Sequence, residues 1–253
     1  TKNSFIGFKV LANASGKKID WVPMKSFKYD LAAMSSKITE KTKIIYLANP
    51  DNPTGSYFSK DEFDFFMSNV PDRCLVILDE AYYEYASTIL DYPDSMNYRY
   101  DNVITLRTFS KSYGLAGLRV GYGFAHQDLI SNLMKVKLPF EPSIPAQVAA
   151  VAALDDSKHL QAGLSANKKQ MIRLEKVFSD LNLSYIPSSA NFITLVFESE
   201  KQASLFVSQF LENGIILRHL KPFGLSECVR VTIGKSSEMD IFINKLNSIL
   251  EYV

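Results

Sequence analysis

The chain has 253 residues, 47% of them hydrophobic and 22% charged, which is ordinary for a globular protein and allows one large domain or two modest ones. A net charge of +1 leaves no strong electrostatic case for nucleic acid or an anionic membrane surface as partner. No apolar run reaches the roughly 20 residues that span a bilayer, and Thr1-Lys2-Asn3-Ser4 lacks the apolar core of a signal peptide. Cys74 and Cys228 show no metal-type spacing, so they read as buried small hydrophobes in a reduced, cytoplasmic setting, and no metal is expected.

Lys43-Ile44-Ile45-Tyr46-Leu47-Ala48 predicts a buried strand. Ser59-Lys60-Asp61-Glu62 is a capping pattern, and the helix it starts carries Glu62-Phe63-Asp64-Phe65-Phe66-Met67. Cys74–Leu78, Val103–Leu106 and Val120–Phe124 read as three further strands. Continuous apolar strands separated by helices predict an α/β fold with a mostly parallel sheet and helices on both faces. Ala146 to Leu154 is Ala-rich and helical, and a long amphipathic helix runs from Ser157 to Leu181. Beyond it the rhythm changes. A strand at Asn191–Phe197 is followed by a helix from about Lys201 to Glu212, ended by Asn213-Gly214. Next come the apolar runs Ile215-Ile216-Leu217 and Val229–Ile233, then a last helix from about Glu238. This predicts a large domain over residues 1–155 and a smaller α+β domain over 156–253, linked by the long helix.

Four features sit where α/β folds bind ligands, just after the carboxyl ends of strands. Asn49-Pro50-Asp51-Asn52-Pro53-Thr54-Gly55 is a rigid turn, able to hold the Asn52 amide as a donor or simply to turn the chain. Asp79 follows an apolar strand, where a carboxylate needs something to offset its desolvation, such as a protonated heteroaromatic nitrogen or a metal; the alternative is a helix cap. Thr108-Phe109-Ser110-Lys111 with Arg119 gathers hydroxyls, a lysine and a guanidinium among small residues. Such groups suit Schiff-base chemistry and phosphate binding, against the commoner fate of an exposed loop lysine. Arg230 lies inside the strand Val229–Ile233, with Arg218 twelve positions earlier, and calls for a planar anion or a structural ion pair.

In this order these pieces resemble the fold-type I pyridoxal-phosphate (PLP) aminotransferases, most closely the histidinol-phosphate aminotransferases. The matching segments are Asn49–Gly55, Asp79-Glu80-Ala81-Tyr82, Ser110-Lys111 with Arg119, and Arg218 to Arg230. Ser4–Phe8 and the stretch from Pro139-Phe140 to Gln147 are similar too, so the resemblance covers essentially the whole chain. It implies PLP as cofactor, with Lys111 as the Schiff-base lysine and general base, and Asp79 as partner of the ring nitrogen. Asn52 and Tyr82 would bond the ring hydroxyl, and Thr108, Ser110 and Arg119 the cofactor phosphate. Arg230, with Arg218, would grip the anionic end of the substrate. The implied reaction is transfer of an amino group between glutamate or 2-oxoglutarate and histidinol phosphate or imidazole acetol phosphate, in histidine biosynthesis. A cytoplasmic homodimer is implied as well.

The chain departs from the family at two places. A preceding stretch with a glycine-containing phosphate loop, a ring-stacking aromatic residue and site-closing residues is expected upstream of Thr1, so the chain reads as a piece of a longer protein. Glu141 stands where the family has a neutral polar residue. Threonine-phosphate decarboxylase and aromatic aminotransferase chemistry on the same fold are the nearest alternatives. A remnant that binds no cofactor is a third, against which the intact Asn52, Asp79, Lys111 and Arg119 set speaks.

Overall fold

Two four-stranded sheets organise the computed structural model, which describes residues 1–97 and 100–250. The first contains β1 (Ile44–Ala48), β2 (Leu75–Asp79), β3 (Val103–Thr108) and β4 (Gly121–Ala125), in that spatial order. The first three are parallel, and β4 returns antiparallel to β3. Around this sheet lie α1 (Ile6–Ala14), α2 (Leu31–Ser36), α3 (Lys60–Met67), the short α4 (Tyr83–Ala86), α5 (Gln127–Val136) and α6 (Ile144–Asp155). The capping box foreseen for α3 is formed: Glu62 N–H donates to Ser59 Oγ, and Ser59 N–H donates to Glu62 Oε2 at 2.7 Å.

Alternation along the strands decides which face is core. Leu47, Val76 and Leu78 are fully buried against Leu31 and Met34 of α2 and Phe63 and Phe66 of α3. Tyr46, Ile77 and Asp79 point to the other face and are half-buried. That face borders the cavity described below. The register sets Ala48 opposite Asp79 and Asp79 opposite Leu106. The carboxyl ends of three parallel strands therefore lie level, and the segments that follow them converge on one edge.

Helix α7 (Ser157–Asp180) leads to the second sheet, built from β5 (Tyr185–Ile186), β6 (Phe192–Val196), β7 (Arg218–His219) and β8 (Cys228–Thr232) in the order β5-β6-β8-β7. All its pairings are antiparallel. With α8 (Glu200–Glu212) and α9 (Ser236–Leu250) it encloses a separate core. Phe210 and Phe242 stack there with centroids 4.8 Å apart, beside Phe178 and Leu174 of α7. The run Ile215-Ile216-Leu217 does not form the strand the sequence suggests; pairing starts at Arg218, where the chain first comes alongside β8. Ile216 points to solvent, and Leu217 packs on the core without ladder bonds.

The halves meet at the turn after β1. Thr194 Oγ1 donates to Pro53 O at 2.8 Å, and Ser189 N–H donates to Gly55 O at 2.8 Å. Gly55 is required there: its φ is +77°, and a Cβ would sit 2.1 Å from Ser188 Oγ. Among the described residues, no helix is long and apolar enough to cross a membrane, and no cluster of three or more His, Cys, Asp or Glu is placed to hold a metal ion.

Candidate active site

A cavity of about 340 Å³ opens at the carboxyl edge of the first sheet. Asn52, Asp79, Tyr82 and Lys111 line it, together with Thr108, Ser110 and Arg119. Seven of the nine residues singled out in the sequence are thus brought to one space, from the segments after β1, β2 and β3. Arg230 approaches from β8: its Nη1 donates to Asn52 Oδ1 at 2.5 Å, and its Cζ lies 4.7 Å from the centroid of Phe192. Arg218 pairs across the ladder with Arg230, is exposed, and does not line the cavity.

The turn Asn49–Gly55 is fixed from within. Asn49 exchanges two hydrogen bonds with the Phe58 backbone, at 3.0 and 3.2 Å. Asp51 is fully buried and accepts from Thr54 Oγ1 at 2.8 Å, from Thr54 N–H at 3.2 Å and from Ser4 Oγ. Asn52 is thereby held with its carbonyl on Arg230, which leaves its amide nitrogen as the donor end. Burial raises the Asp51 carboxyl from 3.8 to about 6, against the hydrogen bonds from Ser4 and Thr54. A carboxyl raised on folding binds more protons in the native state, so its contribution to stability is largest below its unfolded value. Stability therefore falls as pH rises from about 4 to about 6, and Asp51→Asn is expected to flatten that part of a urea-denaturation profile. A slope unchanged in the variant would assign it to another group.

Asp79 Oδ2 accepts from the Tyr46 hydroxyl at 2.6 Å and Oδ1 from Ala81 N–H at 3.1 Å. Burial raises its pKa; the bonds from Tyr46 and Ala81 and the charge of Lys111 oppose the rise. Lys111 is open to the cavity, with Nζ 5.3 Å from the Tyr82 ring centroid. Its amine is pushed below the usual lysine range by loss of solvation and then by Arg230 and Arg119, while Asp79 pulls it up. Tyr82 is buried edge-on to Phe192 at 5.3 Å, and burial raises its hydroxyl to about 12.

Thr108 Oγ1 accepts from Ser110 N–H at 3.1 Å. Arg119 sits at φ +53°, with Nη1 donating to Ala116 O at 2.8 Å. Arg230 Nε is buried and has no hydrogen-bond partner among the described residues. A buried guanidinium N–H left without an acceptor fits a site that receives an anion. A half-buried carboxylate, an amine of lowered pKa and a hydroxyl-plus-arginine set likewise fit a phosphorylated, cationic heteroaromatic aldehyde.

Three contributors carry no clear mark in the sequence. Tyr46 touches Asp79, and Asp51 anchors the turn. Arg107, inside β3, bonds Glu80 Oε2 at 2.8 Å and lies 3.3 Å from the Tyr83 ring centroid, tying the ends of β2 and β3 together. The available signal is an arginine directly after the apolar run Val103–Leu106, which needs a buried partner there as Arg230 does in its strand.

A mostly parallel sheet that gathers a lysine, an aspartate and an arginine at its carboxyl edge defines an α/β protein with a ligand-sized cavity at that edge. The family model described as aminotransferase class I and II matches residues 3–246, and the chain belongs to that family. Histidinol-phosphate aminotransferase 2 of Carboxydothermus hydrogenoformans is 42% identical over 232 residues, covering 91% of this chain and 64% of the relative. Histidinol-phosphate aminotransferase 1 of Nitrosococcus oceani is 41% identical over 249 residues, covering 98% of this chain and 66% of the relative. The crystal structure of histidinol-phosphate aminotransferase from Sinorhizobium meliloti, in complex with pyridoxal-5'-phosphate, superposes with a TM-score of 0.92 at 29% identity, covering 100% of this chain and 69% of that one. The chain spans just under two thirds of the length of the first two relatives.

Proposed function

We propose that the whole protein is a PLP-dependent histidinol-phosphate aminotransferase of histidine biosynthesis, moving an amino group between glutamate or 2-oxoglutarate and the pair histidinol phosphate and imidazole acetol phosphate. The observation that carries this reading is the convergence of Lys111, Asp79 and Arg119 on one cavity, in a chain 42% and 41% identical to two enzymes of that name.

Lys111 would bond the cofactor through its amine, and Asp79 would face the ring nitrogen. Asn52 and Tyr82 would meet the ring hydroxyl. Thr108, Ser110 and Arg119 would hold the phosphate. When bound, the cofactor supplies an electron sink that makes proton loss from the amino-bearing carbon feasible and stores the amino group between substrates. Lys111 takes that proton at Nζ and returns it, a role that a lowered amine pKa favours. Arg230 offers its guanidinium to the anionic end of the substrate, with Arg218 beside it on β7. On this reading residues 1–155 supply the cofactor groups and residues 156–253 the substrate-gripping arginines.

The protein is also proposed to be a cytoplasmic homodimer. The free, buried Cys74 and Cys228 support the reduced setting. An exposed stripe of Ile144, Val148 and Val151 on α6, with Val136, Leu138 and Phe140 exposed in the segment that precedes it, supports a second copy as cover. Sedimentation of the full-length protein is expected to give twice the chain mass at micromolar concentration; a monomer would remove the dimer.

Glutamate with a panel of phosphorylated keto acceptors tests the activity. Imidazole acetol phosphate is expected to be preferred on the order of 10²-fold or more over acceptors lacking the phosphate. Carbon dioxide release without a keto product would instead point to decarboxylation and exclude transamination.

A further inference from the structure

Asp79 has a donor on each carboxylate oxygen, and one donor is a side chain with no role assigned above. Tyr46 reaches Oδ2 at 2.6 Å because of strand register: Ala48 lies opposite Asp79, and Tyr46 shares that face two residues earlier. Its ring lies flat on Phe8 of α1, with centroids 4.7 Å apart and planes inclined by 14°. That stacking fixes where the hydroxyl is delivered. Tyr46, Asp79 and Lys111 border the same cavity.

We propose that Tyr46 is a positioning residue of the cofactor site, whose hydroxyl orients the Asp79 carboxylate and keeps it ionised so that its remaining lone pairs meet a protonated heteroaromatic nitrogen. The proposal rests on the reading of Asp79 given above. Only the ionised carboxylate can hold such a nitrogen in its protonated form. Burial works against ionisation, and the groups opposing it are Tyr46, the Ala81 N–H and Lys111. Tyr29 and Tyr82 also lie within reach of the Asp79 charge, and neither carries a positive charge. Tyr46 is the one of these side chains that donates directly to the carboxylate. Its hydroxyl is driven far above the ordinary tyrosine range, by burial first and by the Asp79 charge next, so it remains a donor throughout the working pH range.

Tyr46→Phe in the full-length protein removes the hydroxyl and keeps the ring on Phe8. In the absence of PLP, the titration midpoint of 13C-labelled Asp79 is expected to rise by about one pH unit or more, the effect of losing one hydrogen bond to a charged group. PLP affinity is expected to weaken about tenfold. The acidic limb of the kcat profile should move to higher pH with KM little changed. A purely structural tyrosine would lower the melting temperature and leave the Asp79 midpoint where it was, and that result overturns the proposal. Should Tyr46→Phe not fold, 3-fluorotyrosine at position 46, a stronger donor, replaces it. The Asp79 midpoint must then fall, and an unmoved midpoint again overturns the proposal. Asp79→Ala separates the two readings. Wild-type PLP affinity and turnover in Asp79→Ala remove the reading of Asp79 itself. A crippled Asp79→Ala beside a Tyr46→Phe that is unchanged in every readout removes Tyr46 alone.

Discussion

Lys111→Ala in the full-length protein is expected to abolish turnover and the visible absorption band of the lysine-bonded cofactor together. Proton transfer by a positioned base is worth about 10²–10⁴-fold on its own, and the variant loses the covalent attachment as well. On the proposed reading, the site prepares the amine for both tasks. Desolvation, Arg230 and Arg119 favour its neutral form, while Asp79 keeps that bias from running further. The fold should not suffer. The backbone bond that closes this turn, Gly114 N–H to Lys111 O at 3.0 Å, does not involve the side chain, and Lys111 is exposed to the cavity. Absorbance and single-turnover measurements check the expectation. A surviving band with unchanged turnover would remove Lys111 from its assigned role.

Asp79→Ala is expected to leave the cofactor attached and to cut turnover by about 10²–10³-fold, the range for removing a preorganised electrostatic partner. Two effects act together. On the proposed reading, the ring nitrogen would lose the anion that keeps it protonated. The Tyr46 hydroxyl and the Ala81 N–H lose their shared acceptor, and a donor buried without a partner costs about 1–3 kcal/mol. The variant should therefore be less stable as well as slow, and the band should persist because Lys111 is intact. Turnover within a few-fold of wild type would contradict the assignment of Asp79 to the ring nitrogen.

Much of this architecture was legible in the residues. The runs that form β1 and β2 are apolar along their length because one face packs on the core and the other stays half-covered, and the residues at their ends, Asn49 and Asp79, stand out as edge residues. The capping box placed α3, and the uninterrupted polar–apolar pattern placed α7. Other parts carried no pattern. Helix α1 buries none of its residues fully; Ile6 and Phe8 pack on parts of the chain far away in sequence, so nothing local marks the helix. Strands β5 and β7 are two residues long, and their existence depends on what runs beside them.

The site shows the same division. Lys111, Asp79 and Arg119 stand out because charged groups behind apolar strands need a reason to be there. Tyr46 does not stand out: an aromatic residue in a strand is ordinary, and its bond to Asp79 arises only from the register of β1 against β2. Asp51 does not stand out from its neighbours in the turn, since one of its partners, Ser4, is 47 positions away in sequence. Arg218 was read with Arg230 as one anion grip. The two do pair across β7 and β8, yet only Arg230 reaches the Asn52 side chain.

Borohydride reduction of the full-length protein with PLP, followed by peptide mass mapping, tests the central claim most directly. The account predicts a single pyridoxyl phosphate adduct on the peptide containing Lys111, lost when Asp79, Asn52 and Arg119 are replaced together. An adduct on a different lysine, or none at all with the protein folded, would contradict it.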